Sequence, residues 1–332
     1  MRSHFFCIDG HTAGNPVRLV VGGAPFLEGA TMSERRQDFI RRFDWIRDGL
    51  MFEPRGHDVM SGGFVYPPLR QDCDASILFI ETSGVLPMCG HGSIGMITFA
   101  LEHGLIRPRE EGRLRIEVPA GILDVSFARR ADRVEWVRLV NVPSFLHSRD
   151  VTVEVPGLGP LRVDIAYGGN FYAIVEPQPG FAGVEAVGAG GILALSPPVR
   201  AAVDAAIDAV HPLDPSIRGV SHVLWADALA DDGTSGRSAV FYGERAIDRS
   251  PCGTGTSARL AQLAATGRLT PGIAFEHRSY IGSRFVGRIE GTTRVGDYDA
   301  ILPSIQGTAH ATGYNQLWID DDAPFARGFQ VR

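Results

Sequence analysis

Short apolar runs separated by turn residues alternate along the chain with a few longer amphipathic segments. Four runs rich in β-branched and aromatic residues predict strands, at residues 75–80, 114–118, 133–140 and 171–175. Apolar positions that recur every three or four residues predict helices, at residues 33–48, 92–103, 198–209 and 254–266. Glycine occurs 40 times and proline 21 times, so turns close most of these segments. The pattern predicts a mixed α/β protein.

Two motifs from the first half of the chain recur in the same order in the second half. Residues 14–21 begin with Gly-Asn before an apolar run, as do residues 169–176. Cys-Gly-His-Gly-Ser at 89–93 is matched by Cys-Gly-Thr-Gly-Thr at 252–256. The offsets are 169 − 14 = 155 and 252 − 89 = 163, close to half of the 332 residues. An ordered repeat of this length indicates two related domains, although short glycine-containing matches also arise by chance.

The chain length supports the same division, because roughly 150 residues make one domain. We expect the first domain at residues 1–145, with the segment 315–332 as a candidate to complete it, and the second at residues 146–314. The first would carry Cys89 and the second Cys252.

Charge and composition narrow the range of ligands. With 32 basic and 38 acidic residues the formal net charge is −6, which argues against nucleic acid or an anionic membrane as partner and favours a small solute. All 32 basic residues are arginine. Without lysine the chain can form no pyridoxal phosphate Schiff base, no lysine imine and no Walker-type phosphate site. A homodimer is one option for the oligomeric state, which the sequence leaves open.

The N-terminus and the cysteines indicate the compartment and the absence of a metal. Asp9 and His11 interrupt the first apolar stretch, and no window approaches the roughly 18 consecutive apolar residues of a membrane helix, so a cytoplasmic protein is expected. Cys7, Cys73, Cys89 and Cys252 form no CxxC pair, and no HExxH motif is present. We expect neither a disulfide framework nor a metal site.

Each repeated cysteine motif stands between a strand-like run and a helix-like run. Cys89 and Cys252 are therefore expected at helix N-termini, where unpaired amides and the helix dipole favour a thiolate. The glycines allow a ligand to approach these amides, and Ser93 or Thr256 could cap them. A carboxylate is the natural ligand of such a site.

Two sulfurs facing one carbon suggest removal of an α-proton from one face and return of a proton to the other. One cysteine would be thiolate and the other thiol, and no cofactor is needed. Two other classes stay open. Residues 90–95 also fit the G-x-G-x-x-G pattern of a nucleotide-dependent oxidoreductase, although Pro87 and Pro251 interrupt the approach to both glycine loops. A non-catalytic protein that only senses small carboxylates is the third reading.

The motifs at residues 87–95 and 248–258 resemble the signature motifs of the proline racemase family. Weaker matches extend from one end of the chain to the other, at residues 8–14, 60–63, 166–170 and 279–282. The resemblance implies a diaminopimelate epimerase-like fold of two pseudo-symmetric α/β domains, with the active site between them and no cofactor.

The resemblance also implies roles for individual residues. The acid and base cysteines of the family carry over to Cys89 and Cys252, and its aspartate near the substrate nitrogen to Asp248. His222 corresponds to a further substrate contact. The carboxylate-binding amides carry over to four residues, Gly90, His91, Gly253 and Thr254. Two alternatives remain: a packing or capping role for the His91 side chain, and a turn in which Asp248 pairs with Arg249.

Within the family, dehydratases of trans-3-hydroxyproline have threonine at the position of Cys252. Both cysteines are present here, which favours racemase or epimerase chemistry. The motif set is more similar to that of 4-hydroxyproline 2-epimerases than to that of proline racemases. The expected reaction is conversion of trans-4-hydroxy-L-proline to cis-4-hydroxy-D-proline, with proline racemase and 3-hydroxyproline epimerase or dehydratase activity as alternatives.

Overall fold

The structure is a computed structural model that describes residues 1–331. Up to residue 140 it contains β1 (Arg2–Thr12), β2 (Asn15–Gly22), α1 (Met32–Met51), β3 (Ser61–Tyr66), β4 (Ala75–Glu81), β5 (Gly84–Leu86), α2 (Gly90–Glu102), β6 (Arg113–Val118), β7 (Gly121–Arg130) and β8 (Arg133–Val140). Beyond it are β9 (Ser144–Val155), β10 (Gly159–Tyr167), β11 (Phe171–Val175), α3 (Val184–Ala206), β12 (Val210–His211), β13 (Asp214–Arg218), β14 (Val220–Ala226), β15 (Ser235–Tyr242), β16 (Ala246–Ile247), α4 (Gly253–Ala265), β17 (Phe275–Arg278), β18 (Arg284–Val295), β19 (Tyr298–Gly307) and β20 (Ala309–Asp320).

The chain divides into two compact units. Unit 1 comprises Met1–Leu139 together with the segment from Gly307 to the end of the described residues, and unit 2 is Val140–Gln306. The sequence analysis had placed the corresponding boundaries at 145/146 and 314/315.

Unit 1 is a twisted sheet around a buried helix. β1 lies between β20 and β2, antiparallel to both, and β2 pairs in parallel with β3. β4 is antiparallel to β3 and β5 and parallel to β6, which continues to β7. Every residue of α2 from Gly90 to Leu101 is buried, and the helix packs on β1, β2, β3 and β20. A helix that is apolar on all sides in this way belongs to the interior of its unit.

Unit 2 is a closed barrel. β10 and β11 are antiparallel, β11 and β14 parallel, β14 and β15 antiparallel, and β15 and β17 parallel. β18 and β19 continue the sheet, and β9 pairs with both β19 and β10, which closes the ring of eight strands. α4 packs on β9, β10, β11 and β18 and is buried from Gly253 to Leu263. Closure leaves no open sheet edge in this ring.

The two units repeat the same order of pairings. The antiparallel, parallel, antiparallel and parallel steps from β1 to β6 are repeated from β10 to β17. In both units a surface helix, α1 or α3, precedes the third strand of the series, and a buried helix, α2 or α4, follows a short antiparallel strand. This topology confirms the prediction of two related domains.

All four strands and three of the four helices predicted from the pattern are confirmed. The predicted helix at 33–48 lies within α1, which begins with a capping box at Thr31 and Glu34. The fourth prediction, 198–209, is wrong at both ends, because α3 runs from Val184 to Ala206. Gly188, at φ 66°, breaks its first part, and glycines of low helix propensity hid this part from the pattern.

One helix of residues 1–331, α3, is long and apolar enough to count as a candidate membrane span. By length and composition alone it could cross a membrane, with a mean hydropathy of 1.3 over an 18-residue window. In the structure it presents one buried stripe, formed by Ile192, Ser196, Val199 and Val203, to the sheet of unit 2. Trp225 of β14 donates from Nε1 to Ser196 Oγ at 2.8 Å. The packing covers one stripe of α3, and 22% of the apolar window is buried.

Candidate active site

Each repeated cysteine is the N-cap residue of the buried helix of its unit. Cys89 precedes α2 and Cys252 precedes α4, and neither helix has a side-chain hydrogen bond at its N-cap. The predicted placement at helix N-termini is therefore confirmed. The first amides of a helix have no partner within it, and in these helices they include those of Gly90 and His91 and of Gly253 and Thr254.

The hydroxyl groups of Ser93 and Thr256 do not cap these amides, contrary to the expectation from sequence. Ser93 Oγ donates to the carbonyl of Cys89 at 2.8 Å, and Thr256 Oγ1 donates to that of Cys252 at 2.7 Å. Both residues lie one turn inside the helix, where a hydroxyl bonds back to the carbonyl four residues earlier. Neither hydroxyl therefore occupies the N-terminal end of its helix.

Gly92 and Gly255 make room for the two cysteine side chains. A Cβ atom on Gly92 would lie 2.9 Å from Cys89 Sγ, and one on Gly255 would lie 3.0 Å from Cys252 Cβ. Each glycine stands three residues after its cysteine, on the first turn of the helix. This packing explains the glycine pattern without a bound nucleotide.

Backbone geometry distinguishes the two cysteines. Cys89 has ordinary extended angles, φ −139° and ψ 109°. Cys252 has φ 66° and ψ 116°, in the range that L-residues other than glycine rarely adopt. Such a conformation persists only where surrounding contacts fix it. Here Ser250 Oγ accepts a hydrogen bond from the Cys252 amide at 3.1 Å.

Asp248 stabilises this turn through Ser250. The side chain of Asp248 is buried, and its Oδ1 accepts from both the amide and the hydroxyl of Ser250 at 2.8 Å. The carboxylate that the family resemblance assigns to the substrate nitrogen therefore also positions the residues that lead into Cys252.

His91 lies between Cys89 and Asn15. Its Nε2 is 3.0 Å from Asn15 Nδ2, and Cys89 Sγ is 3.5 Å from Nδ1 and 4.0 Å from Nε2. Because the sulfur lies at similar distances from both nitrogens, it faces the ring rather than extending the line of either N–H bond. The imidazole is buried and packs against the sulfur in a contact of the kind that sulfur makes with aromatic rings.

Thr254 occupies the position in unit 2 that corresponds to His91. Asn170 Nδ2 donates to Thr254 Oγ1 at 3.4 Å, and Tyr172 Oη lies 2.6 Å from Thr254 Oγ1 and 3.2 Å from Cys252 Sγ. Asn15 and Asn170 are the asparagines of the repeated Gly-Asn motif. In each unit the two repeated motifs therefore meet next to the cysteine.

His222 reaches this cluster through Tyr172. It is buried on β14, and the centres of the two rings are 4.7 Å apart. Its Nδ1 lies 2.7 Å from Ser221 Oγ. The structure thus brings His222, Thr254 and Cys252 together within unit 2, with Tyr172 in contact with all three.

Electrostatics keep Cys252 in the thiol form in this state. Burial raises the pKa of Cys252 above its ordinary value, and the negative charge of Asp248 raises it further. Hydrogen bonds from Tyr172, the Gly255 amide and Thr254 lower the pKa but do not offset the burial. Burial and Asp248 thus oppose, at Cys252, the preference for a thiolate that a helix N-terminus gives.

Sequence reasoning missed three polar residues of these clusters, Tyr172 and the two asparagines. Asn15 and Asn170 carried a signal, because they belong to the repeat, yet they were used only to align it. Tyr172 carried none, because the matched residue in the first repeat is Val17.

Comparison with known proteins identifies the family. The family model described as proline racemase matches residues 7–330. The chain belongs to the proline racemase family. This family assignment agrees with the resemblance found in the motifs and leaves no support for a nucleotide-binding fold.

Relatives in the proline racemase family are close over the whole chain. A protein of Shewanella loihica named 4-hydroxyproline 2-epimerase is 57% identical over 331 residues, which is 100% of this chain and 99% of the relative. A protein of Paracoccus denitrificans with the same name is 59% identical over 329 residues, 99% of this chain and 98% of the relative.

Solved structures confirm the diaminopimelate epimerase-like fold. The crystal structure of a hydroxyproline epimerase from Agrobacterium vitis with bound trans-4-hydroxy-L-proline has a TM-score of 0.92 at 31% identity, and the match covers 99% of this chain and 95% of that one. A phenazine biosynthesis protein of the PhzF family from Bacillus anthracis has a TM-score of 0.58 at 16% identity, over 96% and 99% of the two chains, and shows a likeness of fold alone.

Proposed function

We propose that this chain is a cofactor-independent 4-hydroxyproline 2-epimerase that interconverts trans-4-hydroxy-L-proline and cis-4-hydroxy-D-proline. The observation that carries the proposal is the placement of Cys89 and Cys252 as N-cap residues of equivalent buried helices in a chain of this family. The names of the close relatives give the substrate.

The reaction is a proton exchange at the α-carbon. One cysteine, as thiolate, takes the α-proton, so the C–H bond breaks, an S–H bond forms and the electron pair stays on the carbon. The other cysteine, as thiol, gives its proton to the opposite face. C4 is untouched, so the product is an epimer. The protonation states of the sulfurs are then exchanged, and the reverse reaction restores them.

The intermediate needs stabilisation at the carboxylate, where negative charge accumulates. Four backbone amides at the starts of the two buried helices are suited to this, those of Gly90, His91, Gly253 and Thr254. Asp248 is assigned to the substrate nitrogen, and His222, in contact with Tyr172, to a further substrate contact.

Cys252 is the acid in the resting state under this proposal, because its burial and Asp248 favour the thiol. Cys89 then begins the cycle as the base. For a substrate of the opposite configuration the roles are exchanged: Cys252 is the thiolate and Cys89 is the thiol.

The test is incubation with trans-4-hydroxy-L-proline in deuterated water, with proline and 3-hydroxyproline isomers in parallel. We expect deuterium at Cα of the product, and 4-hydroxyproline to be turned over faster than the other compounds. Cys89→Ala and Cys252→Ala should each abolish epimerisation. Cys73→Ala, a buried cysteine outside both loops, is the matched control and should retain it. A protein that binds the amino acid without exchanging its α-proton would instead be a carboxylate sensor.

A further inference from the structure

Tyr172 is the hydroxyl group in contact with the sulfur of Cys252. It lies on β11 with no exposed surface, and its Oη is 3.2 Å from Cys252 Sγ and 2.6 Å from Thr254 Oγ1. At 3.2 Å the O–H group and the sulfur are within hydrogen-bond distance, and either of them can be the donor.

Cys252 needs such a group more than an ordinary cysteine does. Under the proposed function each cysteine is a thiolate for half of the cycle. Burial disfavours a negative charge on Cys252, and the negative charge of Asp248 disfavours it further. A hydrogen bond from a neutral donor to a buried anion is among the stronger ones in proteins. The titratable neighbours of the pair are Asp248, which acts on the sulfur, and His222, whose ring packs on Tyr172.

We propose that Tyr172 is a further catalytic residue, whose hydroxyl donates to Cys252 Sγ when the sulfur is a thiolate and to Thr254 Oγ1 when the sulfur is protonated. The proposal rests on the proposed function for its part in turnover. The tyrosine stays protonated throughout, and only the direction of its O–H bond changes.

Thr254 and Asn170 complete the chain of hydrogen bonds. Asn170 Nδ2 donates to Thr254 Oγ1 in both states, at 3.4 Å. With Cys252 as thiolate, the Thr254 hydroxyl donates to Tyr172 Oη and Tyr172 donates to the sulfur. With Cys252 as thiol, Tyr172 donates to Thr254 Oγ1 instead and its own oxygen can accept from S–H. Every oxygen therefore has a donor in each state, which makes the exchange of states inexpensive.

In unit 1 the sulfur has different neighbours. In the repeat, Asn15 aligns with Asn170, and Val17 takes the place of Tyr172. Cys89 Sγ instead faces the His91 ring and lies 3.9 Å from Ser61 Oγ. The neighbours of the two sulfurs thus give them different conditions for carrying charge.

The test measures the reactivity of the Cys252 thiol rather than the rate of epimerisation. Ligand-free protein is treated with iodoacetamide over a range of pH, and alkylation of Cys252 is followed by peptide mass spectrometry. In Tyr172→Phe we expect the rate for Cys252 at a fixed pH to fall about ten-fold, the effect of losing one hydrogen bond to a charge. Tyr66→Phe removes the hydroxyl of a half-buried tyrosine, one that donates to the Pro25 carbonyl, and should leave the rate unchanged.

Two further variants separate the hydroxyl from packing. Thr254→Ser keeps the hydroxyl partner of Tyr172 and should retain the wild-type pH profile of Cys252, whereas Thr254→Val should shift it towards that of Tyr172→Phe. In turnover, Tyr172→Phe should lower kcat with little change in KM. An unchanged alkylation profile in Tyr172→Phe overturns the proposal, whether or not the wild-type protein epimerises hydroxyproline. If the wild-type protein does not epimerise hydroxyproline but Tyr172→Phe shifts the alkylation profile of Cys252, only the proposed function is overturned.

Discussion

At the scale of residues, the cysteine motifs of the two units share one local arrangement. A cysteine at the N-cap is followed three residues later by a glycine and four residues later by a hydroxyl that returns to the cysteine carbonyl. The glycine gives space to the side chain of the cysteine, and the hydroxyl fixes the first turn of the helix. The polar neighbours then differ, with His91 beside Cys89 and Tyr172 beside Cys252.

Substitution of Gly92 by alanine tests the space around the sulfur. The new Cβ would stand 2.9 Å from Cys89 Sγ, a separation that forces the cysteine side chain to move. We expect kcat to fall by up to about 100-fold, the effect of a displacement near 1 Å in a catalytic group. The measurement is turnover together with the thermal unfolding midpoint, which should change little.

Gly190→Ala is the matched control for this substitution. No atom lies within 4 Å of a Cβ at this position of α3. Alanine should leave turnover unchanged and stabilise the helix by up to about 1 kcal/mol. Full activity in Gly92→Ala would show that the sulfur does not depend on this space.

Local sequence patterns explain which residues of the candidate site could be predicted. Cys89 and Cys252 were visible because their motif occurs twice, and helix N-termini were visible because an apolar helical period follows each motif. Tyr172 was not, because its contact with Cys252 joins β11 to the start of α4 across 80 positions of sequence. Only the topology of the barrel brings such residues together, and the sequence of a single segment does not predict that topology.

At the scale of elements, a buried histidine connects α4 to two strands of the barrel. His277 of β17 donates from Nδ1 to Thr256 Oγ1 at 2.8 Å, because the Thr256 hydroxyl already donates to the Cys252 carbonyl. Its Nε2 accepts from Ser238 Oγ of β15 at 2.8 Å. The N-terminus of α4, and with it the turn at Cys252, is thus held by an uncharged imidazole.

This histidine predicts a pH dependence of stability. Burial, with a smaller effect of Arg259, lowers the pKa of His277 to about 3, whereas an unfolded histidine titrates near 6.5. Below about pH 6.5 the unfolded chain therefore binds a proton that the folded chain does not. The contribution of His277 to the free energy of unfolding should fall by about 1.4 kcal/mol for each pH unit towards 3.

Urea unfolding of wild type and His277→Gln at a series of pH values checks this dependence. The variant should be less stable at neutral pH but lose less stability on acidification. His4→Gln, at an exposed histidine of β1, should keep the wild-type slope. Equal slopes in wild type and His277→Gln would contradict a neutral, buried His277.

Elements were predicted best where one face is apolar and regular. α1 and α4 followed their periodicity closely, but α3 was recognised only in its second part. Its first part contains Gly188, Gly190 and Gly191, which disfavour a helix on their own, and the backbone leaves helical angles at Gly188.

At the scale of the whole molecule, the two units differ in how the chain builds them. Unit 2 is continuous in sequence, and the pairing of β9 with β19 closes its barrel from Val140–Gln306 alone. Unit 1 is assembled from both ends of the chain, because β20 pairs with β1 along the whole length of β1. Ile319 of β20 is fully buried in the core of unit 1 with Phe5 and Phe39.

A chain that ends at Thr308 should therefore lose unit 1 and keep unit 2. Loss of Ile319 alone removes about 2–5 kcal/mol, a large share of the roughly 5–15 kcal/mol that stabilises a domain, and β1 becomes an unpaired edge. Hydrogen exchange should show protection retained in α4 and lost in α2. A chain that ends at Asp322 keeps β20 and should protect both helices. Protection of α2 in the shorter chain would mean that unit 1 folds without its C-terminal strand, and loss of protection in α4 would mean that unit 2 depends on unit 1.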